Sequence, residues 1–346
     1  TEEELTEMVA AQRNIEPVNV EPVVVQTRSI PPAVADCVAG KGAGADKPLW
    51  QVKYDGWLND LEHPPGQNVL VLAEGVKAHL LDLSSGIDRR IWGGGKEVRM
   101  SPDGALLVAP DASGGKVHLW NTTSGEQDKT LQHKCKGELC MATELALDRA
   151  GSRLAVGTLD GEIYLWAFPS GKLLHLLKGH TRTTSSLAIS PDGKQLASSA
   201  ADGTLRLWDL ASARQEKVIE MDRWKAWELT FTPSGETLVA AGSDGRVHLW
   251  RMPSAEPLLP LEAGEEQARS IAVSPDGKLV ASAGAGHEVR LWRLKTGKLL
   301  HRFKHQFKDD RDMISSLAFI HGGAVLVSAG GDGSAKFWCV PMAAAK

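Results

Sequence analysis

Seven segments of this 346-residue chain end in the same short alternation of residues: Ala78 to Leu81 (AHLL), Val117 to Trp120 (VHLW), Ile163 to Trp166 (IYLW), Leu205 to Trp208 (LRLW), Val247 to Trp250 (VHLW), Val289 to Trp292 (VRLW) and Ala335 to Trp338 (AKFW). Their last residues stand 39, 46, 42, 42, 42 and 46 positions apart. Self-similarity at about 40 to 45 residues means that each copy is one supersecondary unit that buries its apolar face only against its neighbours. The punctuation inside each copy is that of short antiparallel strands. Ser-Pro-Asp-Gly turns stand at 101–104, 190–193 and 274–277, with Thr232-Pro233-Ser234-Gly235 in the same place, and Asp-Gly turns begin at Asp160, Asp202, Asp244 and Asp332. An aspartate there accepts turn amides, and the glycine supplies a positive φ.

In these motifs, residues 49 to 340 resemble the WD-repeat (Trp-Asp repeat) β-propeller family. The resemblance implies an all-β fold, a seven-bladed propeller of four-stranded antiparallel blades around a central channel. It also implies a hydrogen-bonded set in each blade made of a Gly-His histidine, a Ser or Thr, the turn Asp and the repeat Trp. Blade 4 is the copy that keeps the whole set, as His180, Ser198 or Ser199, Asp202 and Trp208. Elsewhere Asp222 replaces the histidine, Gly286 and His287 replace the Asp-Gly turn, and Leu81 stands where the other copies carry Trp120, Trp166, Trp250, Trp292 and Trp338. The manner of the Ser-Pro-Asp-Gly turns resembles bacterial members of the family.

A ring needs its last blade paired, because an open sheet edge invites aggregation. By register Trp338 ends the third strand of blade 7, and Leu49 to Lys53 match the outer strands at Leu173 to Leu177 and Leu299 to Phe303. The N-terminal segment is therefore expected to close blade 7, with Leu49 and Gln51 in the closing strand. Residues 1–48 form an N-terminal extension. A short helix is expected over Thr1 to Asn14, then an extended Pro- and Val-rich stretch over Glu16 to Val34 and a Gly- and Ala-rich one over Ala39 to Asp46. This arm either lies across the propeller or reaches a partner, or it is a loose tail or linker. Residues 341–346 make a C-terminal tail.

Composition narrows the function classes. With 42% hydrophobic and 24% charged residues the chain is globular, and a net charge of −4 with dispersed Lys and Arg argues against nucleic acid as a partner. No apolar run approaches the length that crosses a bilayer, so membrane insertion is not expected. Four cysteines lack the CxxC spacing of metal and redox sites, which argues against zinc. Cys135 and Cys140 could bridge a short loop, and Cys37 lies upstream of the strand expected beside Cys339. Oxidised pairs would place the protein in the periplasm or outside the cell, the preferred reading, and four free thiols would place it in the cytoplasm.

No Gly-x-Ser-x-Gly, His-Glu-x-x-His, EF-hand or P-loop pattern is present, so neither catalysis nor a cofactor is expected. His79, His118 and His248 share the second place of the third strand, which reads as a repeated solvent-facing position rather than a metal site. The most variable segments lead into the inner strands. Blade 5 has Asp222-Arg223-Trp224-Lys225-Ala226-Trp227 there, and two copies carry four extra residues, one at Cys135 to Cys140 and one at Gln306 to Asp312. Aromatics flanked by charge mark interaction hot spots. The expected function is a non-catalytic, protein-binding scaffold or complex subunit, docking through this loop face with Trp224, Trp227, Arg269, Asp309, Asp310, Arg311 and Asp312. Plain packing is the alternative for Trp224, and ordinary loop drift for the insertions. The competing functions are a ligand sensor or enzyme at the channel mouth, and the sensor end of a longer polypeptide.

Overall fold

A computed structural model describes residues 25–27, 30–40, 47–64, 66–75, 77–92, 97–111, 115–132, 141–262, 264, 267–307, 309 and 312–341. Seven antiparallel sheets form the ring. Blade 4 shows the pattern: inner strand Thr184–Ile189, then Gln195–Ala200, Thr204–Asp209 and outer strand Arg214–Glu220. Each alternation found in the sequence is the third strand of its blade, and the Ser-Pro-Asp-Gly turns join the first strand to the second.

The ring closes where expected. Trp50–Lys53 pairs with Ser334–Cys339, with Trp50 opposite Phe337 and Val52 opposite Ala335. Two blades depart from four plain strands. Blade 1 gains a fifth, outermost strand, Val25–Thr27, paired with Ile87–Trp92. Blade 5 has its outer strand split into Glu256–Pro257 and Leu261–Glu262.

The core lies between blades rather than within them. Seven clusters of buried side chains each combine two neighbouring blades. Each repeat tryptophan packs in the cluster shared with the preceding blade: Trp208 lies with Ala155, Ile163 and Leu165 of blade 3, and Trp338 with Ala281 and Leu291 of blade 6. Between blades 7 and 1, Leu81 takes that place. A strand residue facing the adjacent sheet must be apolar in every copy, which is why the alternation outlasts the polar set.

The extension differs from its expected form. Pro32–Val38 is a helix, started by proline in its first turn, where the extended stretch was expected to continue to Val34. Its Val34 and Cys37 are buried in the cluster between blades 7 and 1. Cys37 and Cys339 form a disulfide with Cα atoms 5.8 Å apart, joining positions 302 residues apart in sequence. Thr1 to Asn14 and the Cys135 to Cys140 loop lie outside the described residues.

Candidate functional site

The polar set of blade 4 is complete. The Ser198 hydroxyl accepts from the Trp208 indole N–H at 2.8 Å and meets His180 Nε2 at 2.7 Å. His180 Nδ1 faces the Asp202 carboxylate at 3.0 Å. Asp202 also accepts from the Thr181 and Thr204 amides, both at 3.0 Å, and from the Thr204 hydroxyl at 2.8 Å. Burial lowers the His180 pKa, and Asp202 opposes that shift. This histidine is a strut.

A second complete set stands in blade 7, where the repeat pattern alone shows none. His305 is fully buried, with Nδ1 2.8 Å from the Ser328 hydroxyl and Nε2 3.1 Å from that of Ser334. Ser328 accepts from Trp338 at 2.9 Å, and the Ser334 hydroxyl donates to Asp332 at 2.6 Å. His305 escapes the repeat pattern because it stands where blade 4 has Gly179, one residue ahead of the usual histidine. Burial, with Lys336 nearby, pushes its pKa down to about 3.

The three histidines of one strand register do not share one environment. His79 is buried, not solvent-facing, between Glu74 at 3.0 Å and Asp88 at 3.3 Å, with Tyr54 against its ring. Blade 1 has no repeat tryptophan, and this cluster replaces the usual polar set. His118 reaches Thr130 at 3.0 Å, and His248 bonds Asp244 at 3.0 Å.

On the loop face, Trp224 stacks on His248 with ring centroids 3.8 Å apart and planes 5° apart, and lies against the cluster of blades 4 and 5. It covers the edge of blade 5 where Asp222 has displaced the histidine. Trp227 and Arg269 hold the same place in the inner strands of blades 5 and 6, at the channel rim, and the guanidinium carbon lies 4.7 Å from the indole centroid. The Trp227 indole N–H is buried and has no hydrogen-bond partner among the described residues. Asp309 and Asp312 are described; Asp310 and Arg311 lie outside the described residues.

Sequence reasoning passed over Trp57, which is 58% exposed on the same face. A Cβ at Gly331 would lie 3.5 Å from its ring and 3.4 Å from the Asp312 carboxylate, so both cover one turn of blade 7. Trp57 precedes its inner strand as Lys225 does in blade 5, and the signal for it was an aromatic at a lead-in position. Trp227, Arg269, Asp312 and Trp57 thus follow one another over blades 5, 6, 7 and 1.

The channel wall carries a belt of charge below that rim. Asp60, Glu97, Glu144, Ser186, Glu228, Ser270 and Ser316 occupy one inner-strand position in the seven blades. Several accept the backbone N–H of the next blade: Glu97 from Leu145, Ser186 from Leu229 at 2.9 Å, Glu228 from Ile271 at 2.8 Å and Asp60 from Val98 at 3.2 Å. Arg99 pairs with Asp60 at 2.8 Å and with Glu97. Burial pushes Glu62 and Glu228 up to about 7 and Glu97 up to about 8, against the pull of Arg99 on each. Burial also raises Glu144, with Glu97 adding repulsion. Below the belt, a cavity of about 1070 Å³ opens among the Ser-Pro-Asp-Gly turns, on the face opposite Trp227.

The WD domain, G-beta repeat family matches four segments, residues 171–209, 223–251, 257–293 and 297–339. Each runs from an outer strand, or the loop after one, to the third strand of the next blade. No curated protein matches the chain.

Proposed function

We propose that this chain, which belongs to the WD-repeat family, is a non-catalytic protein-binding scaffold or complex subunit whose docking face is the loop face over blades 5, 6, 7 and 1. WD-repeat propellers are in general protein-interaction scaffolds. The observation that carries the choice of face is the run of aromatic and charged side chains there. Trp57 is largely exposed, Trp227 is clamped by Arg269 with its indole N–H unpartnered among the described residues, and Asp312, in the same loop as Asp309, covers one turn together with Trp57. An exposed indole beside a carboxylate and a rigid aromatic-arginine pair is the composition of an interface core, where aromatics and Arg bury area at low entropic cost. Trp224 supports this face from beneath by its stack on His248. Asp310 and Arg311 belong to the same loop by sequence.

The experiment is affinity purification from the native source with three chains: the wild type, Trp57→Ser with Trp227→Ala, and Leu174→Ser on the outer strand of blade 3. Each is first matched for thermal stability. Partners recovered by the wild type and by Leu174→Ser and lost by the double variant support this face. Equal recovery by all three removes it.

The reading of the chain as a ligand sensor gains support from the channel cavity. Its wall alternates apolar side chains such as Leu147, Ile189 and Phe231 with the charges of Asp60, Glu62 and Arg99. Ligand sites combine apolar walls with a few convergent polar groups in this way. Saturable thermal stabilisation by a small molecule, lost in Phe231→Trp, would favour this reading over the scaffold.

A further inference from the structure

Blade 6 holds a cavity of about 370 Å³ where blade 4 is filled. Two repeats of 42 residues separate these blades, so the counterparts are direct. Gly264 stands for His180, Gly286 for Asp202, Ser282 for Ser198, Glu288 for Thr204 and Arg290 for Arg206. The chain has thus removed the histidine and the carboxylate of the polar set, kept the serine and the arginine beside them and put Glu288 in place of a threonine, and these residues, with Arg302, line the cavity.

Two of the donors left behind lack acceptors among the described residues, the Ser282 hydroxyl and Arg290 Nε. Ser282 is 1% exposed, and its hydroxyl accepts from Trp292 Nε1 at 3.1 Å, as Ser198 does from Trp208. Ser198 also meets His180, whereas the Ser282 proton has no acceptor among the described residues. Arg290 Nε is buried and has no partner there either. The Arg290 guanidinium fills the space a side chain at 264 would need, since a Cβ there would stand 2.3 Å from Nη1. Among the described residues of the lining, Glu288 offsets one of the two arginines, at 3.5 Å from Arg290 and 3.9 Å from Arg302, so these three side chains carry one net positive charge. In blade 4 the matching arginine lies 3.9 Å from the carboxylate of Asp202, the group blade 6 has lost. Buried donors without acceptors are costly, and an anion that accepts from them relieves that cost.

We infer that blade 6 binds a carboxylate in the place left by the missing aspartate, held by Arg290 and Arg302 with the Ser282 hydroxyl as a further donor. The carboxylate belongs either to a small free acid or to an acidic side chain presented in a peptide; the chemistry is the same. This inference does not rest on the docking face.

The test titrates sodium acetate and sodium succinate against sodium chloride at equal ionic strength, reading the unfolding temperature and isothermal heats. Inorganic phosphate and a short peptide with one glutamate, paired with its glutamine version, form the other arms. The expected result is a saturable rise of about 2–4 °C at ten times the dissociation constant. Arg290→Gln abolishes the rise. Gly286→Asp, which returns the carboxylate to the chain, raises the unfolding temperature without ligand and also abolishes it. A response to acetate or succinate but not to the peptide assigns a free acid, and a response to the glutamate peptide that its glutamine version lacks assigns a peptide side chain. A wild-type response no greater than that to chloride, a response kept in Gly286→Asp, or phosphate acting as strongly as the carboxylates overturns the inference.

Discussion

At the scale of single residues, Ser198 serves two partners at once, the Trp208 indole and the His180 ring. Ser198→Ala leaves two buried nitrogen groups unmatched, and the expected loss is about 1–3 kcal/mol, read as a shift of the denaturation midpoint. The channel carboxylates act in the opposite sense. Glu62, Glu97 and Glu228 titrate at about 7, 8 and 7 when folded, above the ordinary carboxylate range of the unfolded chain. The native state therefore holds protons that the unfolded state releases, and stability falls as pH rises from about 4.5 to 8. His305 works from the other side: its folded pKa near 3 makes stability fall as pH drops below about 6.5. Glu228→Gln keeps an acceptor for the Ile271 amide and removes one titration. Its unfolding temperature is expected to fall less than that of the wild type between pH 5 and pH 8, in buffers of equal ionic strength.

At the scale of elements, the seam between blades 7 and 1 is held in three ways. The strand Trp50–Lys53 pairs with Ser334–Cys339, the helix Pro32–Val38 buries Val34 and Cys37 over it, and Cys37 is joined to Cys339. A covalent link across so long a loop restricts the unfolded chain strongly, and native disulfides of this kind contribute about 2–5 kcal/mol. Cys37→Ser is expected to lower the unfolding temperature, and a reducing agent is expected to lower that of the wild type further than that of the variant. Equal sensitivity of both proteins to the reductant would show that the seam does not depend on this link. The Leu173, Leu174 and Leu176 side chains on the outer strand of blade 3 are partly exposed, but nothing in the fold shows what would cover them.

At the scale of the whole molecule, apolar packing between blades sets the ring, and the polar sets vary without breaking it. Blades 4 and 7 keep a histidine-serine-aspartate-tryptophan set, blade 1 substitutes Glu74, His79 and Asp88, blade 5 stacks Trp224 on His248, and blade 6 has a cavity instead. The inner-strand belt then joins blade to blade through side chains that accept the neighbour's amide. Double substitution of Glu97 and Glu228 by alanine is expected to lower the denaturation midpoint more than the sum of the single changes if closure makes the belt cooperative. A midpoint shift equal to that sum, within the few tenths of a kcal/mol usual for distant sites, would show independent links.

The sequence by itself determined the period, the number of blades, the third strands and the closing strand. Each of these follows from apolar alternation and turn residues that repeat along the chain, and Leu81 kept its place in the pattern without a tryptophan. It also singled out Trp227 and Arg269, which the strand register of the fold then puts at one inner-strand position. Tertiary structure decided what the period does not encode. Pro32 starts a helix whose worth depends on a seam completed by Cys339, 302 residues along the chain from Cys37. His305 enters a polar set from one residue off register, His79 lies between two carboxylates instead of facing solvent, and Trp57 stands over blade 7. The cavity in blade 6 likewise needs two glycines brought together from separate segments. Such facts depend on which side chains the closed ring sets side by side, and a linear repeat states only which positions are equivalent.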